Sequence, residues 1–227
     1  MLQALPATQS LIDRTYRQLL DAIADSSLAP GQRIRQAELA DTLGVSRQPV
    51  SHALHLLKRQ GLVEDFGRKG LRVVPLDPHR VTQLYQLRQA IDGLAARLAA
   101  ERAASGALTP ADLEELNQQL QAGVAFDAST PIPVLVRADT EFHRALYRLS
   151  GNPAIEETMA PLWPHLMRSM AAVLHSPGFA ERVWRQEHAA ILRHIAAGEP
   201  AGAETAAMTH AASASSLTTQ QLQPKAA

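Results

Sequence analysis

The chain has 227 residues, room for one large domain or two modest ones, and its 46% hydrophobic and 19% charged residues suit a packed interior rather than a disordered chain. It contains no cysteine, which excludes disulfides, thiolate metal sites and a cysteine nucleophile, so any metal must be held by His, Asp or Glu. The 22 basic and 22 acidic residues cancel, yet residues 1–76 carry 10 basic against 7 acidic, a mildly basic front of the kind that faces DNA.

Met1 to Ser10 lack the basic stretch and apolar core of a leader, and no apolar run approaches the roughly 18 residues of a membrane span. A cytoplasmic location with no membrane partner is therefore expected. Leu11, Ile12, Leu19, Leu20 and Ile23 recur at helical spacing and predict a first helix, ended near Ala29-Pro30-Gly31. A short second helix is expected from Gln36 to Leu43, with Gly44 as its left-handed cap. Ser46 is placed to cap a third helix through its hydroxyl, Pro49 fits the first turn, and Val50, Leu54 and Leu57 form its buried stripe. After Gly61, the runs Leu62-Val63-Glu64 and Leu71-Arg72-Val73-Val74 around Phe66-Gly67-Arg68-Lys69-Gly70 predict a two-stranded hairpin with a basic tip. Pro75 and Pro78 mark a linker.

Two helices, a tight turn, a third helix and a basic hairpin give the layout of a winged helix-turn-helix. Burial of Val50, Leu54 and Leu57 turns Arg47, Gln48, Ser51, His52 and His55 to the opposite side, free to enter a major groove. There Arg47 can reach guanine or phosphate, Gln48 can pair with adenine, and Ser51 and His52 can meet base edges or phosphate. Arg68 and Lys69 would sit beside the backbone or in the minor groove, and Arg33, Arg35 and Arg72 can add phosphate contacts. Singly, each of these side chains is as well explained by a solvated helix face; it is the combination that points to DNA. The segment Ala37-Glu38-Leu39-Ala40-Asp41-Thr42-Leu43-Gly44-Val45-Ser46-Arg47-Gln48-Pro49-Val50, with Ala53-Leu54 and Gly61-Leu62-Val63, resembles the N-terminal domain of GntR-family bacterial regulators. The chain departs from that pattern at Ser51-His52, where the family usually has Arg-Glu.

Beyond the linker the strand signals cease. Leu84, Leu87, Ile91, Leu94 and Leu98 mark a helix from about Pro78 to Ala104, and Thr109 caps another from Pro110 to about Val124. Further helices are expected over Pro133 to Leu149, Ala154 to Leu174 (kinked by Pro161 and Pro164), Phe179 to Ala197 and Ala201 to Ser216, with a frayed tail. The expected fold is mainly α: a winged domain over residues 1–76 and an antiparallel helical bundle over residues 77–227.

Asp139 and His143, four apart, project from one helix face, while His188 and His210 lie on two other helices. Spacing alone favours a structural role over metal binding, because nine histidines are scattered along the chain. Leu84-Tyr85-Gln86-Leu87-Arg88, Asp139 to Leu146, Ser150-Gly151-Asn152-Pro153 and His188 to Leu192 resemble the helical effector (FCD) domain of the FadR branch. The resemblance implies a divalent metal on Asp139, His143, His188 and His210, with zinc first and nickel or manganese also suited. It further implies a small organic or sugar acid as effector, a homodimer, and a pseudo-palindromic double-stranded DNA operator. Arg88 matches an arginine of the branch and would complement the effector carboxylate, or else pair with Asp92 at i+4. Trp163, Met167, Met170 and Trp184 are core or cavity lining, and His165, His175 and His194 are read as structural or exposed.

The expectation is a transcription regulator, in the repressing sense, whose operator binding answers to a metal-bound acid. Two alternatives share the residues: a regulator whose signal is the ion itself, and a metal-dependent hydrolase. The hydrolase lacks an HExxH run, a nucleophile elbow and a phosphate-cradling glycine loop.

Overall fold

In a computed structural model the described residues are 11–223 except 69, 128, 172 and 175–180. The chain divides into two compact units, residues 1–75 and 76–227.

The first unit holds α1 (Leu11–Ala24), β1 (Arg33–Ile34), α2 (Gln36–Leu43), α3 (Arg47–Arg59), β2 (Val63–Phe66) and β3 (Gly70–Val73). Its core is the stripe expected of α3, with Val50, Leu54 and Leu57 fully buried against Leu19 and Ile23 of α1. Gly44 ends α2 in the left-handed conformation, and its N–H bonds to carbonyls of the last turn. Ser46 has the extended backbone of a cap, but its side chain makes no capping bond, contrary to the sequence reading. The hairpin also gains a strand that its own pattern did not announce. The sheet runs β1-β3-β2, all antiparallel, with Arg33 opposite Arg72 and Val63 opposite Val73. At two residues, β1 is too short for a period-two signal.

The second unit is all-helical: α4 (Pro78–Ala104), α5 (Pro110–Val124), α6 (Ile132–Leu149), α7 (Pro153–Met159), α8 (Trp163–Met170), a π-helical stretch Glu181–His188 continuing into α9 (Ala189–Ala196), and α10 (Pro200–Leu222). Asp77 and Thr109 cap α4 and α5, the latter through a reciprocal capping box with Asp112.

Three expectations are corrected here. The segment Ala154 to Leu174 is not one kinked helix but two, because Pro161 falls in the break and Pro164 in the first turn of α8. The expected α-helix over Phe179 to Ala197 is π-helical up to His188, and Phe179 lies outside the described residues. The last helix does not fray after Ser216; it runs to Leu222, with Thr218 fully buried. Leu87 is exposed, and the buried face of α4 is made by Val81, Leu84, Tyr85, Arg88, Asp92, Ala95, Ala96 and Ala99. A face that buries an arginine and an aspartate is invisible to an apolar stripe count.

Candidate nucleic-acid interface and metal centre

On the first unit, Arg47, Gln48, Ser51 and His52 are all exposed, and together with Gln36 and His55 they line one open groove along α3. Arg68 at the turn between β2 and β3 is exposed, and Lys69 lies outside the described residues. Arg35 is exposed but engaged by Glu38 at 2.7 Å, and Arg72 by Glu64 at 2.7 Å with its guanidinium over Phe66. The Arg35–Glu38 pair is exposed and costs little to exchange for a phosphate, while Arg72–Glu64 is half-buried.

In the second unit, Asp139, His143, His188 and His210 are brought together, each almost fully buried. One candidate ligand atom from each lies within 4.8 Å of all the others. Asp139 and His143 come from one face of α6, His188 from the last position of the π-helical stretch, and His210 from the middle of α10. His188 Nε2 is 3.3 Å from His210 Nε2 and 3.5 Å from Asp139 Oδ1. His143 Nε2 is 3.8 Å from Asp139 Oδ2, too far for a hydrogen bond. A π-helical turn widens the helix locally, and this one ends on His188. There the imidazole stacks on Phe142 at 4.0 Å, with the edge of Trp184 against it at 4.5 Å.

Two carboxylates stand behind the imidazoles. His210 Nδ1 is 2.7 Å from Glu187 Oε2, and His143 Nδ1 faces Asp92 Oδ2 at 3.3 Å. Asp92 also accepts from Arg88 Nε at 3.2 Å and from the Tyr147 hydroxyl at 2.5 Å. Arg88 is therefore neither on the surface nor limited to its i+4 partner: it is buried, and its Nη2 lies 3.6 Å from Asp139 Oδ2.

Burial alone would raise the Asp92 carboxyl, but His143, Arg88 and the Tyr147 bond overcome it and hold the group far below the ordinary carboxylate range. Burial works against the Arg88 charge too, and Asp92 and Asp139 outweigh it. His143 and His188 are pushed down, first by burial and then, among other charges, by Arg88. Both shifts favour the neutral imidazole at His143 and His188, the form that can ligate a metal.

Sequence reasoning missed Asp92 and Tyr147 as members of this site, and Glu187 altogether. Asp92 appeared only as an i+4 partner, and no local signal links Tyr147 to it 55 positions away. Glu141 pairs with Arg144 at 3.2 Å and is not among the clustered ligand-type side chains. Trp163, Met170 and Trp184 are core, and Met167 is partly buried. His194 is half-buried and bonded to Glu199, His165 is half-buried, and His175 lies outside the described residues.

Residues 11–73 match the family model described as bacterial regulatory proteins of the gntR family, and residues 83–213 match the FCD domain. An HTH-type transcriptional regulator in an unstable DNA locus of Streptomyces ambofaciens is 33% identical over 195 residues, covering 86% of this chain and 79% of its own length. A probable D-xylose utilization operon transcriptional repressor of Paenarthrobacter nicotinovorans is 28% identical, covering 84% and 80%. The solved structure of E. coli McbR/YncC superposes with a TM-score of 0.80 at 21% identity, covering 94% of this chain and 99% of that one. Such relatives are regulators rather than enzymes. With a winged helix-turn-helix in front and an FCD domain behind, the chain belongs to the GntR family of bacterial transcription regulators.

Proposed function

We propose that the protein is a repressor whose hold on its operator is set by a small carboxylate metabolite bound at a divalent metal in the helical unit. The observation that carries this reading is the buried cluster of Asp139, His143, His188 and His210, with a ligand atom from each within 4.8 Å of the rest.

The donor set fits a divalent ion. His143 Nε2 lacks a hydrogen-bond partner despite complete burial, as does His188 Nδ1, while His143 Nδ1 has only the Asp92 carboxylate at 3.3 Å. Buried polar atoms without partners are costly, and a cation facing the cluster would satisfy the inward ones. The buried guanidinium of Arg88 faces two carboxylates, Asp92 and Asp139, so a further positive charge also improves the balance. Three imidazoles and one carboxylate favour zinc, with nickel or manganese also suited. When bound, such an ion supplies a Lewis-acid coordination position for a ligand carboxylate. Arg88 would offer the complementary charge.

Residues 1–76 form the DNA-binding part and residues 77–227 the sensor. In the first, Arg47, Gln48, Ser51 and His52 read the major groove, while Arg35, Arg68 and Lys69 hold phosphate. A homodimer would set two such helices about one helical turn apart on a pseudo-palindromic operator. Repression is supported by the D-xylose operon relative, which is itself named a probable repressor.

The test has two arms. Zinc should raise the melting temperature of metal-stripped protein, and His188→Ala with His210→Ala should abolish the rise. An organic or sugar acid should then release the zinc-loaded protein from an operator fragment. Release by zinc alone would make the ion the signal, and a wild-type protein indifferent to every divalent metal would end the proposal.

A further inference from the structure

Three buried polar atoms around Arg88 have no hydrogen-bond partner: Tyr85 Oη, Arg88 Nη2 and Trp163 Nε1. Their residues are 1%, 1% and 3% exposed. Both rings pack on the same guanidinium, with Arg88 Cζ 5.7 Å from the centre of the Tyr85 ring and 5.6 Å from that of Trp163. All three atoms can donate, and the indole and guanidinium N–H groups can do nothing else. Leaving a buried donor unmade costs more than a typical bond contributes, so unmade donors on two rings that pack on one guanidinium, itself with an unmade N–H, point to an acceptor supplied from outside the protein.

That neighbourhood adjoins the metal cluster. The Trp163 ring centre lies 6.2 Å from that of His143, and Arg88 Nη2 lies 3.6 Å from Asp139 Oδ2. The Tyr147 ring stacks on Trp163 while its hydroxyl is committed to Asp92, and Met170 Sδ is 3.7 Å from Arg88 Nη1. A plain alkanoate, its carboxylate taken by the metal and Arg88, would leave the Tyr85 and Trp163 donors buried and unmade.

We infer that Tyr85 and Trp163 are specificity-determining residues that read a second oxygen function of the effector, which makes the effector a hydroxy acid rather than a simple carboxylic acid. The inference rests on the metal-and-acid reading of the same site. Discrimination follows from the protein's side of the interface: a site with buried donors rejects an analogue that cannot pair them.

Full-length, zinc-loaded protein is titrated calorimetrically with three matched pairs: lactate and propionate, malate and succinate, gluconate and hexanoate. At least one hydroxy acid should bind about 10-fold or more tightly than its partner, the effect of roughly one buried hydrogen bond. Tyr85→Phe and Trp163→Phe each remove one donor and keep an aromatic ring, and at least one of them should bring that ratio close to unity with zinc affinity unchanged. Equal binding of both members of every pair, or a ratio that both variants retain, overturns the inference while the acid sensor survives. A variant that loses zinc binding counts against its residue as a reader of the ligand. If zinc raises the melting temperature yet none of the six acids binds, the inference and the acid-sensor reading fall together.

Discussion

Glu187 Oε2 lies 2.7 Å from Nδ1 of His210, so a carboxylate on the π-helical stretch fixes an imidazole on α10 with Nε2 turned toward His188. A carboxylate behind a metal-ligating histidine sets its tautomer and raises its basicity, and losing it commonly costs 10- to 100-fold in metal affinity. Glu187→Gln should therefore weaken zinc binding by roughly that factor, measured by competition with a chromophoric chelator, with little change in the melting temperature of the metal-free protein. An affinity within twofold of wild type would remove Glu187 from the metal site.

Asp92 has a different role because three partners converge on it: Arg88, Tyr147 and His143. Asp92→Ala leaves a buried arginine with Asp139 alone and orphans the Tyr147 hydroxyl. Breaking a buried ion pair from one side costs about 3–5 kcal/mol, which predicts a large drop in the denaturant midpoint. A loss below about 1 kcal/mol would mean that the interior relaxes to let water reach Arg88.

How far the sequence discloses this site depends on the range of each signal. Val50, Leu54 and Leu57 repeat at helical spacing, so the core face of α3, and by subtraction its exposed face, can be read from the chain alone. Asp139 and His143 are legible as a pair for the same reason. His188 and His210 sit on separate elements and were joined to that pair by family resemblance, since no periodicity relates residues 22 positions apart. The Arg88–Asp92 pair was legible at i+4, but its burial and its link to Tyr147 were hidden. Arg88, Asp92 and Tyr147 are chemically surface-like residues held inside by one another, and a pattern that sorts apolar from polar assigns them outward. The π-helical register was equally hidden, because its sequence is compatible with an ordinary α-helix.

Gly123 of α5 shows how closely the wall of the site is packed. A Cβ built there would lie 2.0 Å from the indole of Trp184, whose edge rests on the His188 ring. Gly123→Ala must displace the indole, and overpacking of this order costs about 1–3 kcal/mol. Because His188 leans on the displaced ring, zinc affinity should fall along with the melting temperature. Intact zinc binding in a destabilised Gly123→Ala protein would show that the π-helical stretch positions His188 without help from Trp184.

On the DNA side, the groove formed by Gln36, Arg47, Gln48, Ser51, His52 and His55 is lined by no acidic side chain among the described residues, and Arg47 stands at the first position of α3. If Arg47 meets phosphate, Arg47→Ala weakens binding to all sequences alike and lowers the slope of log affinity against log salt by about 1. If it meets a guanine edge, the loss of about 1–3 kcal/mol is concentrated on one base pair of the operator and the slope is less affected. Gln48→Ala should behave in the second way, relaxing preference at an adenine. Fluorescence anisotropy on an operator and its single-base variants, at several salt concentrations, separates the two cases. The loss must be a surface effect, so the control is the buried neighbour: Leu54→Ala should lower stability by about 2–5 kcal/mol through the core instead. If Arg47→Ala and Gln48→Ala both bind operator with wild-type affinity and salt dependence, the exposed face of α3 is not the reading surface.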